Sequence, residues 1–370
     1  MKIAAIISEY NPLHNGHIYH IEKTREKAGA VIAVMSGNYV QRGEPAVIGK
    51  WQRAEFAVKN GIDLVIELPT PFAVSGAKSF ARGAVGLIDS LGCIDYLSFG
   101  SESGKIEELE NISELLKSAA IEGNLKKGMN YPAALGKEIK ELTPNNILAV
   151  EYIKALKELN SEIEPITIKR TGVMHGESEA KDGFCSSSFI RKNVDSAEEL
   201  SDFLPCEVFE YIKANDTTSL YNAEREILYS LKTDTKYIGN EEIKNKIVKY
   251  CDNTNHITEF LNAVKSKNFT MSAVKRAVLK NFLQISKTLE FESPPYARIL
   301  AFNKTGEEIL KTIKKNSKIP VSQSLKRLSG ISEECKKFAD AEISATRLYG
   351  HFFKSIKTGV SEFTQLIKKF

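Results

Sequence analysis

The stretch IAAIISEYNPLHNGHIYHI, residues 3–21, decides the fold of the first part of the chain. Its apolar run at residues 3–7 predicts a buried strand, and a helical pattern follows the polar segment. His14, Gly16 and His17 fall at the turn between the two. A helix N-terminus offers free N–H groups to phosphates, glycine lets the backbone approach closely, and imidazoles can donate hydrogen bonds. The histidines could instead be a cap and a buried polar residue, but the coincidence of strand, glycine and helix start favours a phosphate site.

The first 190 residues alternate short apolar runs with helical patterns. Strands buried on both faces have such runs, so the alternation predicts an α/β, doubly wound parallel sheet of the Rossmann-like kind. Ligands of such sheets bind beyond the carboxyl ends of the strands. The predicted strands cover residues 2–7, 30–35, 64–68, 96–100 and 165–170. The predicted helices cover residues 17–27, 51–60, 76–91, 105–122 and 146–159.

The pattern changes after about residue 200, where glycine becomes scarce and amphipathic helical windows dominate. We therefore expect an α/β domain over residues 1–200 and a mostly helical domain over residues 201–370. The helices predicted in the second domain cover residues 223–231, 241–250, 257–264, 271–283 and 306–315. The apolar pieces at residues 297–302 and 319–321 could form strands.

The composition is that of an ordinary globular protein, with 42% hydrophobic and 26% charged residues among 370. We find no apolar run long enough to span a bilayer, and Glu9 interrupts the N-terminal run too soon for a signal peptide. The five cysteines are scattered and contain no C-x-x-C pair, so neither a zinc site nor a disulfide framework is expected. These features predict a cytoplasmic protein with no membrane partner and no metal ligands of its own.

The net charge of +4 conceals an asymmetry along the chain. Residues 1–240 carry 27 Lys and Arg against 34 Asp and Glu, whereas residues 241–370 carry 24 against 13. The basic C-terminal third suggests a surface that binds a polyanion such as RNA. A lysine-rich face that is merely solvated is the alternative.

The polar loop at residues 35–45 follows the second predicted strand and leads to a helix start. In a doubly wound sheet this loop would face the first strand-to-helix turn, where a second substrate should lie. Ser36, Gln41, Arg42 and Lys50 are the candidates for holding a small carboxylate or phosphate. An ordinary surface loop with capping residues is the alternative.

Two further segments fall at the expected edge of the sheet. Gly100 ends the fourth strand and would let an adenine or ribose pack against the backbone. Asn145 and Asn146 start a helix, where Asn145 could be the cap and Asn146 could face the cleft.

Arg170 ends the fifth strand, and a serine-rich helix start at residues 185–191 comes shortly after. Hydroxyl and N–H groups there, including those of Ser187, would hold phosphates, and Arg191 would neutralise their charge. Serines that only cap a helix are the alternative.

A basic helix is predicted at residues 271–283, with Thr270 as its cap. Val274, Ala277, Val278 and Leu279 form its apolar stripe. The cations Lys275, Arg276 and Lys280 lie off that stripe, so they could contact an RNA backbone. A solvated polar face is again the alternative.

Together these segments resemble the HxGH nucleotidyltransferase superfamily and, within it, the bacterial tRNA(Met) cytidine acetate ligase family. HNGH at residues 14–17 matches the HxGH signature, and CSSSFIR at residues 185–191 is similar to ISSTxxR, from which Cys185 and Ser188 depart mildly. The family resemblance also rests on residues 7–17, 34–38, 41–46, 63–69, 99–102, 144–149 and 294–300. It covers nearly the whole chain.

The resemblance implies that ATP and acetate form acetyl-adenylate and that pyrophosphate leaves. The acetyl group then passes to the N4 amine of the wobble cytidine of elongator tRNA(Met), with AMP released. Mg²⁺ would accompany ATP, and His14, His17 and Arg191 would be catalytic. The implied ATP-binding residues are Ile7, Ser8, Glu9, Tyr10, Asn11, Pro12, Leu13, His14, Asn15, Gly16, His17, Ile18, Tyr19, His20, Gly100, Asn145 or Asn146, and Arg170.

Two rival interpretations stay open at this point. A small-molecule adenylyltransferase or cytidylyltransferase would share the signature, although such domains are usually shorter and would leave the basic third without a role. A non-catalytic RNA-binding protein could retain a decayed nucleotidyltransferase domain, although His14, Gly16, His17 and Arg191 are all intact.

Overall fold

The computed structural model describes residues 1–115, 143–170, 183–289, 293–364 and 368–370. Its main feature is an eight-stranded, mostly parallel sheet, accompanied by a separate two-stranded hairpin. The strands are β1 (Ile3–Ser8), β2 (Ala30–Ser36), β3 (Tyr39–Val40), β4 (Glu44–Pro45), β5 (Leu64–Leu68), β6 (Tyr96–Ser101), β7 (Glu164–Lys169), β8 (Ala297–Phe302), β9 (Val321–Ser322) and β10 (Lys368–Lys369).

The strand order creates a switch point beside β1. The chain runs outward from β1 through β2 to β5, then returns to place β6 and β7 on the other side of β1. All pairings among these five strands are parallel. The prediction of a doubly wound parallel sheet is therefore confirmed, and it puts the expected ligand crevice at the carboxyl ends of β1 and β6.

Both faces of the sheet are buried, which explains the continuous apolar runs. Along β2, Ala30, Ile32 and Val34 belong to one core cluster, whereas Val31 and Ala33 belong to the cluster on the opposite face. Successive side chains of a strand point to opposite faces, so a strand covered on both sides needs an apolar residue at every position.

The helices cover the sheet and form most of the C-terminal region. Nearly all predicted helices are present, although residues 116–122 of one of them lie outside the described part of the chain. The helices are α1 (Asn15–Arg25), α2 (Lys50–Lys59), α3 (Thr70–Ala73), α4 (Ala77–Ser90), α5 (Ile106–Leu115), α6 (Pro144–Glu158), α7 (Ser187–Lys192), α8 (Cys206–Ala214), α9 (Glu224–Thr233), α10 (Glu241–Cys251), α11 (Ile257–Val264), α12 (Met271–Phe282), α13 (Lys304–Asn316), α14 (Leu325–Ser329) and α15 (Glu333–Tyr349). Short 3-10 helices occur at Ala197–Phe203, Leu220–Ala223, Lys287–Leu289 and Gly350–Phe352.

The C-terminal region also contributes to the sheet. Strand β8 pairs antiparallel with β5, and β9 and β10 each pair parallel with β8. All six residues of β8 are buried. The helical region is thus joined to the α/β region through shared backbone hydrogen bonds, and the division at residue 200 stays a prediction.

In the described part of the chain, no helix has the length and apolar character needed to cross a bilayer.

Candidate active site

A cleft of about 380 Å³ opens at the carboxyl ends of β1, β6 and β7, as the switch point requires. Its volume suits a small ligand. Nine of the fourteen residues from Ile7 to His20 line it. Tyr10 and Leu13 are buried instead, and the Asn15 amide donates to backbone oxygens outside the cleft.

His14 is the N-cap of α1, so the helix begins at Asn15, three residues before the apolar pattern. Its Nδ1 accepts a hydrogen bond from the Gly16 N–H at 3.1 Å, and the Nδ1 of His17 accepts from the His14 N–H at 3.3 Å. This reciprocal arrangement is a capping box built from two histidines. The capping alternative is therefore confirmed, and because the capping residues also line the cleft, the phosphate site stays a prediction.

The capping bonds fix the protonation state of both imidazoles. Since each Nδ1 accepts a hydrogen bond, the Nε2 atom of each ring carries the proton, and that of His14 donates to Ser187 Oγ at 2.9 Å. Burial, with Arg170 and Arg191 nearby, lowers the pKa of His14 to about 3. Burial and the neighbouring His14 lower the pKa of His17 well below its usual range. Both rings are therefore neutral hydrogen-bond donors at pH 7.

The segment between β1 and α1 holds the two histidines in place. Tyr10 has a left-handed φ of 45°, and its ring meets the His17 ring edge-on at 5.1 Å between centroids. The side-chain oxygen of Asn11 accepts from the Val47 N–H at 2.8 Å. The left-handed backbone at a large residue is costly, so the surrounding packing must impose it.

Three arginines make the cleft electropositive. Arg42, Arg170 and Arg191 all line it, and Glu9 is the one carboxylate among its described lining residues. Arg191 donates to the Asn11 carbonyl at 3.0 Å, which fixes its side chain beside the β1–α1 turn. Guanidinium groups in this number, next to a helix N-terminus, suit a polyphosphate.

Gly100 lies at the expected place. It lines the cleft at the end of β6, and a Cβ atom there would make only an ordinary contact, 3.4 Å from the Arg170 side chain. Residues 171–182, which follow Arg170, lie outside the described part of the chain.

The start of α6 corrects one detail of the sequence analysis. Thr143, not Asn145, is the cap, because its hydroxyl accepts from the Asn146 N–H at 3.2 Å. Asn145 lines the cleft. Asn146 is buried, and its side-chain oxygen accepts from the Glu102 N–H at 3.3 Å.

The loop after β2 contributes only part of the predicted set. Gln41 and Arg42 line the cleft, but Ser36 is buried at the end of β2. Lys50 is fully buried elsewhere, with its Nζ 2.5 Å from carboxylates of both Glu67 and Glu362. The placement of Lys50 in a substrate loop is therefore corrected: its charge is already neutralised inside the protein.

The basic residues of α12 are also not where an RNA surface would need them. Lys275 pairs with Glu44 at 2.5 Å, and Arg276 donates to the Gln41 carbonyl at 3.0 Å. Lys280 is partly buried. Thr270 caps α12 as predicted.

Two residues that shape the site have no recognisable signal in the sequence. Arg53 is fully buried and donates to the backbone oxygens of Glu9, Ser36 and Ile48, which ties the loops after β1 and β2 together. Ser272 of α12 lines the cleft from the C-terminal region. No residue pattern distinguishes either from an ordinary surface residue, because both roles depend on contacts made by folding.

Comparison with other proteins extends the similarity to nearly the whole chain. A family model described as HIGH Nucleotidyl Transferase matches residues 1–362. The tRNA(Met) cytidine acetate ligase of Thermoanaerobacter sp. (strain X514) is 39% identical, with 96% of each chain covered. The protein of the same name from Caldanaerobacter subterraneus subsp. tengcongensis is 37% identical, with 100% of each chain covered.

Solved structures agree with the sequence matches. TmcAL of Thermotoga maritima, crystallised with alpha-thio ATP, gives a TM-score of 0.89 at 31% identity and covers 100% of each chain. Its apo form gives a TM-score of 0.91 at 32% identity, covering 100% of this chain and 99% of the other. The chain therefore belongs to the HIGH nucleotidyl transferases and, within them, to the family of tRNA(Met) cytidine acetate ligases.

Proposed function

We propose that this protein uses ATP and acetate to form acetyl-adenylate and then acetylates elongator tRNA(Met). The acceptor is the N4 amine of the wobble cytidine, and the products are N4-acetylcytidine, AMP and pyrophosphate. The observation that carries the proposal is the cleft, where two neutral histidines at a helix N-terminus lie among three arginines. Family membership supports the choice of substrates, and the alpha-thio ATP in Thermotoga TmcAL supports ATP. We expect the reaction to occur in the cytoplasm, where tRNA and ATP are available.

The phosphates of ATP would lie against the N-terminus of α1. Gly16 allows close approach there, and Arg170 and Arg191 would balance the charge of the β- and γ-phosphates. The wall of the cleft at Gly100 would accept the adenosine. Mg²⁺ fits this site as a companion of ATP, because Glu9 provides a carboxylate in the cleft and Mg²⁺ is usually held by phosphates and water.

In the first step an acetate oxygen attacks the α-phosphorus of ATP. A bond forms between that oxygen and phosphorus, and the bond from phosphorus to the pyrophosphate oxygen breaks. No protein nucleophile is required, so the chain contributes position and charge stabilisation. The Nε2–H group of His17 would donate to the phosphate oxygens as negative charge accumulates on them. His14, whose Nε2–H donates to Ser187 Oγ, would orient that hydroxyl so that its own hydrogen points to the phosphates. Gln41 and Arg42 would hold the acetate.

In the second step the N4 amine of cytidine attacks the acetyl carbonyl. The new C–N bond forms as the bond from the carbonyl carbon to the AMP oxygen breaks, and the amine loses a proton to solvent. The wobble base would have to leave the anticodon stack to reach the cleft.

Exposed residues of α9 are better placed to hold RNA than those of α12. Arg225, Tyr229 and Lys232 recur every three or four residues and are all exposed. That spacing puts them on one side of α9, where Tyr229 could stack on an unpaired base and the two cations could meet phosphates. Just before α9, in the 3-10 helix Leu220–Ala223, the Tyr221 ring lies 5.6 Å from Lys275 Nζ.

The direct test is an assay with ATP, Mg²⁺, labelled acetate and total bacterial tRNA, followed by nucleoside analysis. We expect acetate-dependent N4-acetylcytidine confined to elongator tRNA(Met). His17→Ala should abolish the product, whereas His256→Ala, which removes an exposed histidine 3.4 Å from Glu224, should not.

Other outcomes would replace the proposal. Pyrophosphate release with a phosphorylated small molecule, but not with acetate, would indicate a small-molecule nucleotidyltransferase. RNA binding with neither activity would indicate a non-catalytic protein.

A further inference from the structure

The loop from Gln41 to Glu44 forms one side of the cleft, but its own short hairpin is not enough to hold its conformation. It joins β3 and β4, which have only two residues each, and a hairpin this short is not stable by itself. Yet Gln41 and Arg42 line the cleft, so their positions must be set by other parts of the protein. On the inner side, the Glu9 carboxylate accepts from the Gln41 N–H at 2.8 Å.

Helix α12 holds the outer side of this loop through two cations. Arg276 donates to the Gln41 carbonyl at 3.0 Å. Lys275 pairs with Glu44 at 2.5 Å, and the second oxygen of Glu44 lies 4.0 Å from Arg191 Nε. One carboxylate therefore connects α12 to an arginine of the cleft.

The backbones of the loop and the helix are also in direct contact. Gly43 has a φ of +78°, and a Cβ atom there would lie 2.4 Å from the Arg276 backbone nitrogen. Any residue other than glycine would be strained at this φ and would push α12 away. This close backbone contact does not depend on the two polar contacts, and it also indicates that the loop packs against α12.

The two cations face inward and not toward solvent. Only 11% of the Lys275 side chain is exposed, and burial lowers the pKa of Arg276 to about 10. One turn earlier on the same helix, Ser272 lines the cleft. The first turns of α12 are thus built into the cleft wall.

We propose that Lys275 and Arg276 are positioning residues of the adenylation site, which fix the loop so that Gln41 and Arg42 meet the carboxylate substrate. The inference rests on the proposed function for the identity of that substrate. It assigns these two residues to the chemistry of ATP and acetate and not to RNA binding. It also means that a helix from the C-terminal region completes a site on the α/β sheet.

The test compares Lys275→Met with Lys265→Met, a matched substitution of an exposed lysine ten positions earlier. Acetate-dependent exchange of pyrophosphate into ATP, measured without tRNA, isolates the first step. We expect Lys275→Met to raise the KM for acetate about ten- to hundred-fold with a smaller change in kcat, since a misplaced loop weakens substrate alignment. The affinity for tRNA should not change. Lys275→Arg should restore most of the activity, and Lys265→Met should match the wild type.

Loss of tRNA affinity in Lys275→Met with unchanged exchange would overturn the inference in favour of RNA contact. A second measurement stands apart from activity, namely hydrogen exchange of the peptide that covers residues 39–45. We expect faster exchange there in Lys275→Met and in Gly43→Ala than in Lys265→Met. Equal protection in all three variants would overturn the inference. If the wild type catalyses no exchange of pyrophosphate, the proposed function fails, and the hydrogen-exchange result still decides whether α12 fixes the loop.

Discussion

Two groups of charged residues draw on the stretch from β2 to the start of α2, which supplies Arg42 to one and Lys50 to the other, and they differ in how their charges are balanced. One is the cleft, with Arg42, Arg170 and Arg191 around the two histidines. The other is a buried ion cluster, which we define as Lys50, Glu67, Arg298, Glu342 and Glu362. Both contain residues that sequence inspection would regard as chemically active.

The groups differ in whether their charges are balanced within the protein. In the buried ion cluster, Arg298 lies 2.6 Å from Glu362 and 3.1 Å from Glu67, and Lys50 contacts the same two carboxylates. Burial and the nearby Glu67 raise the pKa of Glu342 to about 8. Two cations therefore face three acidic groups, one of which has a raised pKa, so the buried ion cluster has no surplus positive charge to attract an anionic ligand.

The cleft has an excess of positive charge that the protein does not neutralise. Its described lining contains four cations, namely three arginines and Lys169, and one carboxylate, that of Glu9. Both groups are rich in charge, but only the unbalanced one needs an anion to complete it. The three carboxylates of the buried ion cluster come close enough to hold a metal ion, yet Lys50 already occupies the position between two of them.

The largest expected effect is loss of stability when the buried ion cluster is broken. Lys50→Met would leave Glu67 and Glu362 with one cation between them, and removing one partner of a buried pair typically costs about 3–5 kcal/mol. Urea denaturation measures the change in the free energy of unfolding. Lys23→Met, which breaks an exposed pair with Glu26, should cost far less, because solvent screens that pair. Equal costs for the two variants would show that the buried ion cluster is not the stabilising group we infer.

Arg191→Met should differ from Lys50→Met, because it should cause a large loss of activity and a smaller loss of stability. Loss of a cation that stabilises the transition state should lower acetate-dependent pyrophosphate exchange by about 100-fold, equivalent to about 3 kcal/mol. The free energy of unfolding should fall by about 1–2 kcal/mol, because the hydrogen bonds to the Asn11 carbonyl and the Ser188 hydroxyl and the long contact with Glu44 are lost. The two quantities should be measured on the same preparation. A large loss of stability without a matching loss of exchange would assign Arg191 to the fold.

How much of the structure could be predicted from the sequence depends on how far apart the interacting residues lie along the chain. The strands and the β1–α1 turn depend on neighbouring residues, and their pattern was sufficient to place them. Lys50 was misplaced because Glu342 and Glu362 lie about 300 positions away along the chain. No local pattern specifies such a partner.

The same limit explains the other corrections. A basic helix such as α12 has the same sequence pattern whether it faces RNA or a loop of its own protein. Thr143 was overlooked as the cap of α6 because Asn145, two residues later, is an equally favourable capping residue type. The fold and the position of the cleft could be predicted from the sequence. To know which acidic groups neutralise each lysine and arginine, the tertiary structure was required.

Acid should lower the stability of the folded protein, because the buried His14 in the cleft stays neutral there while the unfolded chain binds a proton. The pKa of His14 is lowered to about 3 in the folded protein, so the unfolded chain takes up a proton first as the pH falls below its ordinary value of 6.5. Stability is therefore full above pH 6.5 and is lost as the pH falls toward 3. Between pH 7 and pH 5 this group alone should cost up to about 2 kcal/mol.

Urea denaturation at pH 7 and pH 5 checks this prediction. His14→Asn should reduce the loss between the two pH values, whereas His256→Asn, at an exposed position, should leave it unchanged. If His14→Asn retains the full pH dependence, the imidazole of His14 does not stay neutral in the folded protein.

The smallest expected effect comes from replacing the N-cap residue of a helix. Comparing a helix beside the cleft with one elsewhere tests whether loss of the cap near the cleft also weakens ligand binding. Thr143 caps α6 through the Asn146 N–H, and Ser332 caps α15 through the Cys335 N–H. Replacing either by alanine should cost about 1 kcal/mol of unfolding free energy. Only Thr143→Ala should also weaken ATP binding, by about threefold, because the first turn of α6 presents Asn145 to the cleft. Isothermal titration with ATP measures this difference, and equal affinities in the two variants would mean that Asn145 contributes nothing to the nucleotide site.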